Sequence, residues 1–226
     1  MIRKILGASL LALAVAAPSA HAYEAGDLIL RAGAVTVDPH EDSGNLHVNG
    51  GGVGGTKATL DSDTQLGLNF AVMLTDHWGL ELLAATPFHH EVGVKGLGAL
   101  DGKLADVKQL PPTVSVVYYP FPNKWMFQPY VGLGVNYTFF FDQNLSGAAQ
   151  QAGFSNLNLK DSWGLAGQIG ADFMVTDHIL LNAQVRYIDI DTHASADLTS
   201  GGRVNRVGVD VGVDPWVYMV GIGYKF

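Results

Sequence analysis

The last twelve residues, 215–226, constrain the fold of this chain more than any other segment. They read PWVYMVGIGYKF, and every second residue from Trp216 to Phe226 is apolar, with aromatic residues at both ends. The alternate set includes the small residues Gly221 and Gly223. Because successive side chains of a β-strand point to opposite faces, this segment predicts a strand with one wholly apolar face. Such a face is covered by a second sheet in a soluble sandwich and by lipid in an outer-membrane barrel.

The N-terminus predicts a cleaved secretory signal peptide. The chain begins with MIRK, continues with the apolar run ILGASLLALAVAA and reaches an Ala-His-Ala site at residues 20–22. A basic start, a short apolar core and small residues before the cleavage point are the parts of such a peptide. An uncleaved anchor is the alternative, but the run is shorter than the roughly 20 apolar residues of a spanning helix. We expect residues 1–22 to be removed and residues 23–226 to form the mature protein.

Composition excludes several classes of protein. The 13 basic residues are outnumbered by 21 acidic ones, which argues against nucleic acid as a partner, because phosphate binding requires a basic face. Cysteine is absent, so an exported chain of this kind must fold without disulfides. No later segment approaches 18 consecutive apolar residues, which argues against a helical membrane protein.

Seven segments upstream repeat the alternation of the last strand. The connections between the eight strands are alternately long polar intervals and very short turns. The predicted strands cover residues 27–37, 60–74, 78–87, 107–119, 128–141, 159–175, 179–191 and 215–226. The predicted long loops are 38–59, 89–106, 142–158 and 192–214, and the first, with its GGGVGG run, reads as flexible. Even strand number with long loops at one end is the organisation of a bacterial outer-membrane barrel. We predict one all-β domain, an eight-stranded antiparallel transmembrane β-barrel with long extracellular loops and short periplasmic turns.

The lumen of this barrel is predicted to be polar and filled. The charged inward positions are Arg31, Glu81, Asp172, Arg186 and Lys225. Because an unpaired buried charge is costly, we expect these side chains to pair with one another inside the barrel. Eight strands leave an interior that side chains can fill, so no open aqueous pore is expected. On the last strand, the two glycines are expected to leave free space.

Three prolines interrupt the predicted wall. Pro111 and Pro112 lie inside the fourth strand, and Pro87 lies late in the third. Proline cannot donate a backbone hydrogen bond, so pairing between these neighbouring strands should fail locally. Either the prolines end the pairing at the rim, or they form a gap that opens sideways into lipid.

Apolar side chains at inward positions predict a hydrophobic funnel in the outer half of the barrel, over the polar inner half. The funnel candidates are Leu83, Val117, Tyr119, Phe140, Ile188 and Ile190.

Neither a metal site nor catalysis is predicted. His89, His90 and Glu91 form the densest histidine cluster, but they lie in a predicted loop without the helical spacing of a zinc site. Ser195 and His193 are the only close pair that suggests a lipid hydrolase or transferase, and no G-x-S-x-G is present. We expect solvated loop residues, no cofactor and no enzyme.

Several motifs closely resemble the OmpW family of outer-membrane proteins, and its OprG-like members most nearly. They are TDHWGLELLAATPF (75–88), QPYVGLGVNYTFFF (128–141), DSWGLAGQ (161–168), YIDIDT (187–192) and DPWVYMVGIGYKF (214–226). The likeness covers all eight strands and is weakest in the first and fourth loops. It implies an outer funnel that is blocked below and opens laterally, so that small hydrophobic molecules pass into the outer leaflet. For OprG-like members, small amino acids are an alternative cargo.

The functional expectation is therefore a passive channel for small hydrophobic solutes in the outer membrane of a Gram-negative bacterium. A structural or adhesive barrel that binds surface partners through its loops is the alternative from another class. Expected partners are outer-membrane lipid and lipopolysaccharide, the solutes, and the barrel-assembly machinery. The terminal aromatic residues Tyr224 and Phe226 resemble the signal that this machinery recognises.

Overall fold

The computed structural model describes residues 22–96, 98 and 101–226, so the predicted signal peptide, apart from Ala22, lies outside the described residues. In chain order the elements are β1 (Leu28–Asp38), β2 (Asp42–Ser43), β3 (Leu46–Val48), β4 (Gly51–Val53), β5 (Lys57–Leu60), β6 (Asp63–Met73), β7 (Trp78–Ala85), β8 (Phe88–Lys95), β9 (Gly102–Leu110), β10 (Thr113–Tyr118), β11 (Phe127–Leu145), α1 (Gly147–Gln151), β12 (Phe154–Leu159), β13 (Ser162–Met174), β14 (Ile179–Ile188), β15 (Asp191–Ser200), β16 (Arg203–Gly212) and β17 (Trp216–Lys225). None of the helical structure in these ranges is long and apolar enough to cross a membrane.

Eight of the described strands close into an antiparallel barrel. Their order around the barrel is β1, β6, β7, β10, β11, β13, β14 and β17, and β17 returns to β1. The predicted fold class is therefore confirmed.

Alternation of side chains explains why these residues form a membrane wall. On β13, outward-facing Leu165 and Ile169 are 70% and 63% exposed, whereas inward-facing Gln168 and Asp172 are buried. Aromatic pairs lie on the outer surface at both ends of the apolar band, with Trp78 against Tyr118 and Tyr137 against Trp163. Apolar band and aromatic girdles together match the lipid-facing surface of outer-membrane barrels.

The short turns at one end of the barrel repeat one arrangement. The hydroxyl oxygen of Thr75 accepts a hydrogen bond from the backbone of Trp78 at 3.0 Å, and Thr176 accepts one from Ile179 at 2.9 Å. Each Thr-Asp-His sequence thus satisfies backbone donors within the turn, which joins neighbouring strands by a tight connection.

Beyond the other end of the barrel, the predicted long loops form an ordered β-rich cap. In the described residues, one cap sheet has the order β12, β15, β16, β3 and β4, with β2 also paired to β16. A second part of the cap continues the barrel wall through β11, β9, β8 and β5.

The prediction of a flexible first loop is wrong, because residues 38–59 contain short strands. Val48 pairs with Gly51 across a two-residue turn, in which Asn49 and Gly50 have φ angles of 50° and 82°. Positive φ at both positions is the signature of a type I′ hairpin turn, and Asn-Gly is its preferred sequence. Glycine here closes a hairpin instead of loosening a loop.

Candidate functional site

Arg31 is the centre of a buried charge network in the barrel lumen. Its Nε and Nη2 donate to the Asp172 carboxylate at 3.1 and 2.6 Å. Its Nη1 donates to the side-chain oxygen of Asn69 at 2.9 Å and to Glu81 Oε2 at 3.4 Å. Because Arg31, Glu81 and Asp172 are fully buried, the guanidinium is matched by charge inside the protein and not by water.

Glu81 joins a second cation to this network. Arg186 Nη2 donates to Glu81 Oε1 at 2.7 Å, and the Gln168 amide donates to the same oxygen at 2.9 Å. Arg186 also donates through Nε to Gln168 Oε1 at 2.7 Å. Two arginines therefore balance two carboxylates. We call Arg31, Asn69, Glu81, Gln168, Asp172 and Arg186 the polar floor.

Lys225 lies apart from the polar floor. Its ammonium contacts the Asp27 carboxylate at 3.6 Å, near the turn end of the barrel. Four of the five charged lumen candidates thus meet in one network, and the fifth pairs with an acidic residue that the sequence did not single out.

Aromatic residues pack on the turn side of the polar floor. The hydroxyl groups of Tyr23 and Tyr119 donate to Asp172 Oδ2 at 2.6 and 3.3 Å. Both rings belong to a buried cluster with Val117, Tyr130 and Leu180. Predicted to lie in the outer funnel, Val117 and Tyr119 instead lie near the turns, because β10 runs from the loop end towards the turn end.

The glycines of the last strand do not leave free space. A side chain at Gly221 would meet the backbone of Ala32 and Gly33 on β1, and one at Gly223 would meet Leu180 and Arg31. These glycines therefore permit close packing, which corrects the expectation that they leave free space beside β17.

An apolar cluster lies on the loop side of the polar floor. Along β14, for example, Leu180 of the turn-side cluster, Arg186 of the polar floor and Ile188 of this cluster follow in order. We call it the outer apolar cluster. It contains Leu83, Phe88, Val107, Phe140, Ile188 and Ile190, together with valine or methionine side chains of β1, β16 and β17. The remaining four funnel candidates are thus brought together, while Phe88 and Val107 were missed because they lie at the edges of a predicted loop.

The predicted fourth strand is divided at Pro111 and Pro112 into β9 and β10. On the turn side of the prolines, below them, Leu83 of β7 pairs with Thr113 of β10. On the cap side, above them, Phe88 of β8 pairs with Gln109 of β9. Between these two pairs, residues 84–87 form no ladder with residues 110–112, and the register shifts by one residue. We call this interruption the wall gap. Pro87 is half-buried beside it, and Pro111 is buried within it.

Comparison with known proteins places the chain in a family. A model of the OmpW family matches residues 24–226. The chain belongs to the OmpW family. Outer membrane protein W of Escherichia coli strain K12 is 43% identical over 225 residues, which cover 100% of both chains. The crystal structure of the outer membrane protein OprG from Pseudomonas aeruginosa is 56% identical with a TM-score of 0.87, and the match covers 91% of this chain and 98% of that one.

A more distant relative carries a name that points to a chemical context. The dibenzothiophene metabolism operon protein PahQ of Pseudomonas aeruginosa is 26% identical over 184 residues, which cover 81% of this chain and 82% of that one. Because the OmpW-family relatives from Escherichia coli and Pseudomonas aeruginosa described above are named outer membrane proteins, and because the OprG structure matches this barrel, the chain is an outer-membrane barrel protein.

The cap of this OmpW-family barrel contains an apolar cavity of about 80 Å³. Its lining includes Leu46, Val92, Phe154 and Val207, and side chains beside it also pack against the outer apolar cluster. None of the predicted funnel residues lines it. The signal that could have found it is the alternation of apolar residues within the predicted loops, as at 207, 209, 211 and 213, where valine occupies every second position.

The histidine cluster near the wall gap has a structural arrangement. His90 is buried, and its Nδ1 lies 2.7 Å from the carbonyl oxygen of Asp61 while its Nε2 lies 2.8 Å from Gln109 Nε2. The expectation of solvated loop side chains is therefore wrong for His90. No group of three or more His, Cys, Asp or Glu side chains in the described ranges is arranged to hold a metal ion.

Ser195 and His193 are engaged with different partners. His193 Nδ1 lies 2.6 Å from the Asp210 carboxylate, and the Ser195 hydroxyl oxygen accepts a hydrogen bond from Arg206 at 3.1 Å. The family and these contacts give no support to a Ser-His catalytic pair.

Proposed function

We propose that this OmpW-family barrel is a passive channel for small hydrophobic molecules, which leave it sideways through the wall gap. The observation that carries the proposal is the stacking of three features: the outer apolar cluster, a polar floor on its turn side, and an interrupted wall beside it. The prolines at 87, 111 and 112 are the proposed lateral-opening residues.

The polar floor makes the lumen a poor route for an apolar solute. Passage would separate Arg31 from Asp172, or Arg186 from Glu81, in a region where all four side chains are buried. Breaking a buried ion pair costs about 3–5 kcal/mol, because a charge is left unmatched. The wall gap offers a route that breaks no backbone ladder, since none is formed between its edges.

The chemistry of the upper compartment supports a hydrophobic cargo. The outer apolar cluster consists of aliphatic and aromatic side chains, and such side chains also form most of the lining of the cap cavity. The name of PahQ associates one relative with the metabolism of dibenzothiophene, an apolar aromatic compound. Nothing in the described residues favours a small-amino-acid channel or an adhesive barrel over this function.

Two interactions with the envelope belong to the same proposal. The solute is released among the acyl chains of outer-membrane lipid, beneath the saccharide surface of lipopolysaccharide. In this proposal residues 1–22 direct export and are then removed, which makes Tyr23 the first residue of the mature chain. The N-terminal residue of the mature chain then donates a hydrogen bond through its hydroxyl group to Asp172 of the polar floor.

Replacing Pro111 and Pro112 with alanine tests the lateral route. The double variant restores two backbone donors, so the segment between β9 and β10 is expected to pair with β7 or β8. Uptake of an alkane-like solute by whole cells is then expected to fall. Pro120→Ala with Pro122→Ala is the matched control, because these prolines lie in a turn outside the wall. Unchanged uptake in the first variant would remove the role of the wall gap.

A cross-link gives a second, reversible test in one protein. The chain has no cysteine, so Ala84→Cys with Leu110→Cys introduces a unique pair at the two edges of the wall gap. Bridging the pair with a short thiol-reactive linker that can be cleaved is expected to stop uptake, and cleavage is expected to restore it. An alternative role as an adhesive barrel predicts no effect of the bridge on any solute.

A further inference from the structure

The wall gap is closed on its inner side in this conformation. Phe88, on the first rung above the gap, is 1% exposed, and Leu83, on the last rung below it, is 5% exposed. Both belong to the outer apolar cluster. The neighbouring residues Ala85 and Pro112 are less covered, since both are only half-buried. A solute in the cluster therefore cannot reach lipid until a side chain at the gap moves.

The edges of the gap are held by the strands behind them. On one edge, Ala85 pairs with Gly67 of β6, and the Thr86 backbone donates to Leu66 at 2.9 Å. On the other edge, the Pro112 carbonyl accepts a hydrogen bond from the Tyr137 backbone at 3.1 Å. Since both edges are anchored to the continuous wall, a side chain is the part that can move at least cost.

Phe88 is the large side chain at this position, and its orientation is fixed from the cap side. Its ring stacks near-parallel on His90, with centroids 6.4 Å apart and an interplanar angle of 23°. His90 is itself held, because a carbonyl oxygen only accepts: Nδ1 donates to Asp61, which leaves Nε2 to accept from the Gln109 amide. The held His90 ring therefore limits movement of the Phe88 ring on the cap side.

We propose that Phe88 is the gate residue of the wall gap, whose ring fills the inner side of the gap and sets the size of the hydrophobic solute that leaves. This inference rests on the proposed function and adds its specificity-determining residue. A smaller side chain at position 88 is expected to widen the exit for bulky solutes, and a larger side chain is expected to narrow it for every solute. The rest of the cluster collects the solute without selecting it by size.

The test compares uptake of naphthalene and pyrene by whole cells that produce Phe88→Ala, Phe88→Leu or Phe88→Trp. The alanine and leucine variants are expected to raise the pyrene rate several-fold more than the naphthalene rate, and the tryptophan variant to lower both. Phe140→Ala is the matched control: Phe140 lies in the same cluster and faces Gln109 from the other side, where the wall is continuous. Its pyrene-to-naphthalene ratio is expected to equal that of the wild type.

The Phe88 variants and the cysteine bridge together distinguish a failure of this inference from a failure of the proposed function. If neither Phe88→Ala nor Phe88→Leu shifts the ratio beyond Phe140→Ala, while the bridged Ala84→Cys and Leu110→Cys pair still stops uptake, Phe88 is not the gate and the lateral route stands. If the bridge leaves uptake unchanged, the lateral route fails and the gate fails with it. Two small replacements of different size keep the test decisive should one of them not assemble.

Discussion

Replacing Asp172 with asparagine is expected to destabilise the barrel more than any isosteric change on its surface. The carboxylate accepts five hydrogen bonds: two from Arg31, and one each from Tyr23, Tyr119 and Asn182. Asparagine keeps the shape but removes the charge and turns one acceptor into a donor. That donor then faces the donating groups of its neighbours.

The size of the destabilisation follows from the buried positive charge that loses its partner. Without Asp172, the nearest anion to Arg31 is Glu81 at 3.4 Å, and Glu81 is already paired with Arg186 at 2.7 Å. The floor then carries one uncompensated positive charge in a buried site. Such a change costs about 3–5 kcal/mol, which shifts a urea unfolding midpoint by about 1–2 M for a chain of this size.

The assay is urea unfolding in lipid vesicles, followed by tryptophan fluorescence. Asp142→Asn is the matched control, since Asp142 pairs with Lys108 at 2.7 Å but is largely exposed; an exposed pair contributes within about 1 kcal/mol. Removing both charges with Arg31→Met and Asp172→Asn is expected to recover most of the loss, because Glu81 and Arg186 then match each other. Equal, small effects of the Asp172 and Asp142 variants would refute the reasoning, since they would mean that water already reaches the polar floor.

Two further predictions concern the closing strand and the cap. Deleting Phe226, which is 66% exposed and packs edge-on against Tyr224, is expected to reduce the folded fraction in the outer membrane more than it reduces export; normal assembly of the shortened chain would contradict its role as an assembly signal. In the cap, burial lowers the pKa of His90, and its bond to the Asp61 carbonyl acts in the opposite direction. Because the fold favours the neutral ring, this contribution to stability is complete above the unfolded pKa of about 6.5 and is lost as pH falls through the lowered folded value. His90→Gln is expected to flatten that part of the stability profile measured by urea unfolding between mildly acidic and neutral pH, and an identical profile would rule the histidine out as its source.

The barrel wall could be predicted from sequence because its physical rule is local. A lipid-facing strand needs an apolar side chain at every second position, so Leu165, Ile169 and Phe173 identify β13 without knowledge of its neighbours. The same parity correctly assigns Gln168 and Asp172 to the lumen. Contacts across the lumen follow a different rule, since the stagger of tilted strands decides which inward side chains share a level. Side-chain parity therefore predicts the four charged residues of the polar floor, but it does not predict the pairing of Arg186 with Glu81.

The errors in the funnel and the cap have related causes. The apolar character of Val117 predicts a place in the outer half, whereas its level in the barrel depends on the direction of β10. In the cap, the GGGVGG run predicts a flexible loop, although Gly50 at its start has a positive φ and closes a hairpin. His90 lay in a polar stretch and is buried only because Asp61 and Gln109 come from other elements to contact it.

The wall gap lies at the upper edge of the lipid-facing band. Below it, the outward side chains of the flanking strands are apolar, as at Leu82 and Val114, and both are well exposed. Above it, the outward positions of β8 carry His89 and Glu91, also exposed. A solute that leaves through the wall gap therefore emerges where the acyl chains of the outer leaflet begin.

Prolines are what allow an interrupted ladder at this height. An unpaired backbone N–H in contact with hydrocarbon costs several kcal/mol, and each of Pro87, Pro111 and Pro112 removes one such donor. Two of the proline carbonyls accept hydrogen bonds from side chains: Pro111 from the Thr113 hydroxyl at 3.2 Å, and Pro112 from the Asn136 amide at 3.1 Å. Alanine at these positions would supply donors that either pair across the gap or stay unsatisfied in lipid. Because pairing is the lower-energy choice, the same argument that explains why the gap exists explains why removing its prolines should close it.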